Sequence, residues 1–232
     1  MHWDYLTILF FMAVIVPWRS RVRVAALLQS HAVESRERIA LYASTIAFQW
    51  TISLAIFWRC HARGLSFFEL GLSVPQAARA VTAAIAISAV LVVNQVFGVL
   101  RLVRLPPAKR GIVGQLAERL VPRINTEKWI ALALVLTVAF CEEFIYRGFI
   151  ESLFQREFSS LAAGAAISAG LFSVAHAYQG RRGIITTFIV GLLFSSVRIW
   201  TSSLLPSVII HFAVDLSAGI ASARLLIPER AE

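Results

Sequence analysis

The sequence predicts an all-α protein, a polytopic membrane bundle of about seven transmembrane helices, with six to eight as the range. Of the 232 residues, 58% are apolar and only 15% are charged, whereas a typical soluble domain has about 25% charged residues. The mean hydropathy is +0.74. The apolar residues also gather into blocks of roughly 20, the length that crosses a bilayer as a helix. These observations exclude an ordinary soluble globule and a disordered chain.

Seven apolar blocks qualify as spans or nearly so. The first is short, and we interpret it as a span, because no charged segment precedes it and Trp18-Arg19 is a poor cleavage site for a signal peptidase. The blocks cover residues 3–18, 39–58, 81–103, 129–150, 160–178, 183–200 and 203–227. We find no internal repeat, and we expect residues 1–232 to form a single integral membrane domain, with its functional half at about 125–220.

The basic residues lie in clusters between these blocks, which is typical of a membrane protein and not of a nucleic-acid-binding one, despite a net charge of +9. Arginines interleaved with apolar residues over 19–38 predict an amphipathic helix on the membrane surface. With the N-terminus outside, inner segments hold 16 Lys and Arg residues and outer ones hold 5. We therefore expect an integral protein of a bacterial inner membrane, N-terminus out and C-terminus in. The two cysteines, Cys60 and Cys141, cannot make a disulfide framework or a cysteine zinc site.

The fourth block contains ionisable residues that insertion into a membrane disfavours by at least ~2.5–3.5 kcal/mol each. Glu143 and Arg147 are four residues apart, so they share one helix face and predict a structural ion pair. Glu142 points about 100° away from that pair and is left for chemistry. The competing interpretation is a buried salt bridge with a spare glutamate at an interface.

Two later blocks each carry a histidine. Phe172 precedes His176 by four residues, so its ring is placed to form a wall of a site around that imidazole. His211 and Asp215 share a helix face in the same way. Taken singly, His176 can be an interfacial or core histidine, and His211 with Asp215 can be a self-satisfied hydrogen bond that packs the bundle.

Together the motifs indicate one polar cavity, because burying isolated carboxylates and imidazoles has a high free-energy cost. Glu142, His176, His211 and Asp215 fall on three predicted spans. A glutamate and a histidine can bind and deprotonate a water, while a second histidine with an aspartate can stabilise an oxyanion or complete a metal site.

The three motifs resemble those of the CAAX protease and bacteriocin-processing family of intramembrane endopeptidases, which includes the type II CAAX prenyl endopeptidases. Its Glu-Glu-x-x-x-Arg motif is matched by Glu142, Glu143 and Arg147, and its Phe-x-x-x-His motif by Phe172 and His176. Its third motif, His with Asn or Asp four residues later, is matched by His211 and Asp215. The resemblance covers about residues 125–220. The stretch Glu69-Leu-Gly-Leu72 is weakly similar to the family's N-terminal half.

The resemblance implies an enzyme that cleaves a peptide bond in a membrane-embedded, lipidated or membrane-tethered substrate. It assigns water activation to Glu142 and His176, and oxyanion stabilisation to His211 with its partner four residues on. It leaves open whether zinc takes part. Glu142, His176 and His211 would be the ligands if a metal is bound, and we favour a metal-independent mechanism. The alternative functions are a non-catalytic membrane adaptor or immunity-type protein on the same fold, and a proton-coupled transporter, which the lack of visible repeats disfavours.

Two points depart from a simple match. Where many family members have asparagine, this chain has Asp215, and an ionised aspartate cannot donate to an oxyanion. We therefore expect Asp215 to orient His211. In addition, a straight antiparallel helix pair with the predicted bounds does not bring Glu142 level with His176, so either the fourth helix is broken near Glu142 or the bounds of the fifth block differ.

Overall fold

The computed structural model describes residues 2–30, 33–106 and 109–226, and within these ranges every regular element is helical. We number the helices in chain order and treat as one any helix whose backbone continues without a break. The bounds are α1 Trp3–Gln29, α2 Ser35–Ala62, α3 Ala77–Val103, α4 Gly111–Leu120, α5 Asn125–Phe158, α6 Leu161–Ala175, α7 Gly180–Thr201 and α8 Leu205–Leu226.

Six of these helices are long and apolar enough to cross a membrane, which confirms the predicted all-α polytopic bundle. The two shorter helices are α4, with 10 residues, and α6, with 15. The fifth apolar block was predicted as a span over 160–178, and this is corrected: its helix is too short to cross by itself. Helix α4 lies in a connector for which the sequence predicted no helix.

The predicted surface helix over 19–38 is also corrected, because residues 19–29 continue α1 without interruption. The arginines of this stretch find partners on α2. Arg23 donates to the hydroxyl of Ser44 at 3.0 Å, and the Arg19 guanidinium lies 3.8 Å from the centre of the Phe48 ring. Contacts with a neighbouring helix therefore use arginines that the sequence pattern assigned to the membrane surface.

Helix α5 runs for 34 residues, well beyond the predicted block 129–150. The chain reverses after it at Ser159, whose φ of 49° places it in the left-handed region, and the Ser160 hydroxyl accepts from the backbone N–H of Ala163 to cap α6. Helix α6 then packs back along the second half of α5. Gly164 makes this close approach possible, since a Cβ there would lie 2.7 Å from the carbonyl oxygen of Glu151.

The loop between α2 and α3 covers one end of the bundle, which we call the loop end. The backbone N–H of Leu204 donates to the carbonyl of Gly71 at 2.7 Å, and Arg198 donates to the carbonyl of Glu69 at 2.8 Å. Gly71 has a φ of 70°, and a Cβ there would lie 3.1 Å from the Leu204 side chain. The weakly family-like stretch from Glu69 to Leu72 is thus the segment that seals this end.

The opposite end, which we call the basic end, contains the start of α2 and α5 and the finish of α8. Arg38 and Glu127, both buried, form an ion pair of 3.0 Å there. At the loop end, Asp4 accepts from both Arg59 and Arg63 and ties the start of α1 to the finish of α2. The described chain therefore starts at the loop end and finishes at the basic end.

Candidate active site

The paired glutamates lie halfway along α5, where its hydrogen bonding changes. Residues Phe144–Ile150 have π-helical geometry, which begins directly after Glu143. Such insertions widen a helix locally and are frequent at functional sites. Glu143 is fully buried, and Glu142 is half-buried. The two adjacent carboxylates consequently face different surroundings.

Glu143 is held from two sides. Its Oε1 accepts from Arg147 Nη1 at 2.9 Å and lies 3.0 Å from His211 Nδ1. Because an ionised carboxylate only accepts, the Nδ1 of His211 carries a proton and donates to it. The sequence assigned Glu143 to Arg147 alone. The contact with His211 depends on how α8 packs against α5, which helix periodicity does not reveal.

The other ring nitrogen of His211 faces Asp215. Nε2 lies 3.5 Å from Asp215 Oδ2, a long contact compared with the one to Glu143. His211 is 8% exposed, whereas the Asp215 side chain is 40% exposed. Glu143 thus fixes a proton on Nδ1 of His211, and Asp215 faces Nε2 at the more exposed side of the ring.

His176 stands directly after the last residue of α6. Its Nδ1 lies 2.9 Å from the backbone carbonyl of Phe172, and because a carbonyl only accepts, Nδ1 carries the proton. In the neutral imidazole the lone pair therefore resides on Nε2. The Phe172 ring lies 4.5 Å from the ring of His176 and 6.4 Å from that of His211, measured between centres. One aromatic ring thus stands beside both histidines.

Glu142 has one partnered oxygen and one that lacks a partner. Its Oε1 accepts from the side-chain amide of Gln49 on α2 at 3.1 Å. Its Oε2 is buried and has no hydrogen-bond partner within the described residues. Gln49 was missed at the sequence level. A lone amide within a 20-residue apolar block was the signal that could have found it.

The structure brings His176 to the depth of Glu142 through the α5–α6 hairpin. Ser168 of α6 donates to the carbonyl of Tyr146 at 2.7 Å, and the rings of Tyr146 and Phe172 are 5.1 Å apart. Since α6 is as long as the part of α5 that follows Glu143, its end returns beside the glutamates. Because α6 ends earlier than the predicted block 160–178, His176 reaches the same depth in the bundle as Glu142. No hydrogen bond or ion pair joins Glu142 and His176 directly in the described part of the chain.

The side chains do not converge as a metal site requires. Across the described residues no group of three or more His, Cys, Asp or Glu side chains is placed to hold a metal ion. Glu142, His176 and His211 in this arrangement do not fit a three-ligand zinc site.

Glu151 and Arg198 form a second group of buried charges, next to the Glu143–Arg147 pair along α5. Glu151 is fully buried, follows Arg147 by four residues, and lies 3.7 Å from Arg198 of α7. Arg198 also donates to the hydroxyl of Ser152 at 2.7 Å. The sequence missed both charged residues, since Glu151 fell just outside the predicted span and Arg198 was counted among the outer cations. Together they connect the active-site helix to the loop end.

Comparison with known proteins gives one family match. Residues 124–217 match the family model described as Type II CAAX prenyl endopeptidase Rce1-like. This confirms the resemblance drawn from the motifs, and the matched segment contains all of them. No curated protein and no solved structure matches the chain significantly.

Proposed function

We propose that this integral membrane protein, with its Rce1-like segment at 124–217, is an intramembrane endopeptidase in which Glu142 and His176 activate the hydrolytic water. The observation that carries the proposal is a pair of unused acceptors. Among the described residues Glu142 Oε2 is buried without a hydrogen-bond partner, and the hydrogen bond from Nδ1 to the Phe172 carbonyl leaves the lone pair of His176 on Nε2. A water has two hydrogens, and two acceptors at the same depth of the bundle are what would orient it.

The reaction then proceeds by general base catalysis. The water oxygen attacks the carbonyl carbon of the scissile bond while Glu142 takes one of its protons. The carbonyl oxygen becomes an oxyanion, and His211, an imidazolium because both of its ring nitrogens face carboxylates, donates its Nε2–H to it from the opposite side. When the C–N bond breaks, the proton held by Glu142 passes to the leaving nitrogen, which leaves as an amine. No metal is needed for these steps.

Glu143 and Asp215 act through His211 in this mechanism. Glu143 holds the Nδ1–H at 3.0 Å and is itself held by Arg147, so the imidazolium ring keeps one orientation. Asp215, at 3.5 Å from Nε2, orients the ring until substrate arrives. The weak contact is consistent with an Nε2–H that changes partner during the reaction.

The substrate class follows from where the site lies. Glu142 and His211 stand within helices that are long and apolar enough to cross a membrane, so the substrate is a hydrophobic, lipidated or membrane-tethered peptide segment. We place the basic end of the bundle on the cytoplasmic side of a bacterial inner membrane, from the excess of Lys and Arg there.

The test is cleavage of a panel of membrane-tethered peptides by the purified full chain. Glu142→Gln keeps the size of the side chain but removes the base, so we expect kcat to fall by ~10²–10⁴ with normal membrane insertion. Glu118→Gln on α4 is the matched control, because Glu118 pairs with Arg110 away from the site. Activity should survive a chelator. Loss on chelation with recovery on adding zinc would contradict the metal-independent mechanism, and equal activity of Glu142→Gln and wild type would favour the adaptor.

A further inference from the structure

An open groove runs between the N-terminal part of α5 and the C-terminal part of α8. Its volume is about 1440 Å³. Trp129, Leu132 and Val135 form the wall on α5, and the small residues Gly219 and Ala223 make room on α8. The middle of the groove is therefore apolar and wide enough for an extended chain with side chains.

The two ends of this groove differ in charge. Its inner end is at Asp215, the partner of His211. Its outer end presents Arg123, Lys128 and Arg224, all exposed and without an ion pair in the described part of the chain. Asp215 is the one acidic side chain among the described lining residues. Glu127, which lies between two of these cations in sequence, is buried against Arg38 and does not neutralise them.

The length of the groove can be expressed as the number of residues of an extended substrate that it would hold. Arg224 follows Asp215 by nine residues, which is ~14 Å of helix, and Lys128 precedes Glu142 by fourteen residues, which is ~21 Å. An extended chain advances ~3.3 Å per residue. The outer cations are therefore about four to six residues of extended chain away from the reacting bond.

We propose that this groove binds the substrate on one side of the scissile bond, and that its outer cations bind a carboxylate four to six residues from that bond. The inference rests on the proposed function and names its substrate class: an extended apolar peptide stretch ending in an anionic group. The apolar wall accommodates the residues between, and the cations contribute the charge complementarity. The carboxylate is either an acidic side chain or the terminal carboxylate of the substrate.

The experiment uses the full chain in phosphatidylcholine vesicles with one cleavable membrane-tethered peptide. A single Asp is moved through eight positions on each side of the scissile bond, and each peptide is made with a free and with an amidated C-terminus. In wild type we expect kcat/KM to rise about two- to fivefold when the Asp is four to six residues away on one side, the scale of a solvent-exposed ion pair. Dependence on amidation instead identifies the terminal carboxylate.

The double variant Lys128→Gln with Arg224→Gln should remove this preference, and Arg224→Glu should shift it towards a Lys in the same window. The matched control is Arg21→Gln with Arg36→Gln, two exposed cations outside the groove lining, which should keep the preference. A preference that is flat across positions in wild type, or unchanged in the groove variants, overturns the inference. So does a rate that responds to added anionic lipid but not to the substrate carboxylate. If wild type and Glu142→Gln are equally inactive on every peptide, the proposed function itself fails.

Discussion

His211 lies between two carboxylates that differ in their distance from the ring and in their burial. Glu143 binds one ring nitrogen at 3.0 Å within the bundle, while Asp215 approaches the other at 3.5 Å from a partly exposed position. The short buried contact orients the ring. The long contact can be given up when a better acceptor, the oxyanion, forms next to Nε2.

This difference leads to a prediction for Asp215→Asn. Since Glu143 already holds the ring through Nδ1, an asparagine that still contacts Nε2 should reduce kcat/KM by no more than about tenfold, the scale of one ordinary hydrogen bond. The measurement is the cleavage rate of a tethered peptide beside wild type and Glu142→Gln. An Asp215→Asn protein as inactive as Glu142→Gln would show that the carboxylate takes part in the chemistry.

Glu143 and Arg147 provide a second residue-scale prediction, because they are buried and depend on each other. Arg147→Met should leave the buried Glu143 with His211 as its partner and destabilise the fold by up to about 3–5 kcal/mol. Thermal unfolding in detergent would show this as a large drop in Tm, and Arg21→Gln, at an exposed position, should show almost none. An unchanged Tm for Arg147→Met would mean that the pair is not needed to hold the site.

At the scale of elements, the α5–α6 hairpin decides whether His176 meets Glu142. Gly164 lies where α6 presses on α5: a Cβ there would be 2.4 Å from the Gln155 side chain and 2.7 Å from the Glu151 carbonyl oxygen. Gly164→Ala should therefore push the helices apart, destabilise the protein by ~1–3 kcal/mol, and lower the cleavage rate.

Gly170 on the same helix is the matched control, because nothing lies within 4 Å of a Cβ built there. Gly170→Ala should leave the rate unchanged and raise Tm slightly, since alanine favours a helix by up to ~1 kcal/mol over glycine. Comparing the melting temperatures and rates of the two variants isolates helix contact from helix propensity. Equal behaviour of the two would show that the hairpin contact does not position His176.

The elements also show what the sequence could and could not predict. Runs of apolar residues located the six helices that are long enough to cross a membrane, and the spacing of Glu142, Glu143 and Arg147 placed their motif on one helix, because both signals are local. The length of α6 escaped prediction, since alanine- and glycine-rich sequence after Ser160 shows no break where the helix ends at His176. Contacts such as Glu143 with His211, or Gln49 with Glu142, arise from packing between helices, and helix periodicity within one segment cannot predict them.

At the scale of the whole molecule, the two ends of the bundle carry unequal charge. The basic end holds most of the Lys and Arg, and we expect it to face the cytoplasm. Cys60 and Cys141 are both fully buried, which leaves them poorly accessible to aqueous thiol reagents. Single cysteines introduced at exposed positions therefore report on orientation.

Gln76→Cys lies at the loop end and Thr126→Cys at the basic end, and both positions are exposed. In intact bacterial spheroplasts we expect a membrane-impermeant maleimide to label Gln76→Cys and to label Thr126→Cys only after lysis. The parent chain, with its two native cysteines alone, is the control. The reverse pattern would place the basic end outside and contradict the proposed orientation.

All six tryptophans are between 38% and 73% exposed, so the surface that meets lipid carries the residues that anchor proteins at membrane interfaces.

Helix α6, with 15 residues, is ~22 Å long, compared with ~30 Å for a bilayer core. Helix α6 thus ends ~8 Å short of a full crossing, next to His176. We therefore expect lipid chain length to influence the reaction. Vesicles of shorter-chain phosphatidylcholine should bring the interface nearer to His176 and hydrolysis should run faster in them.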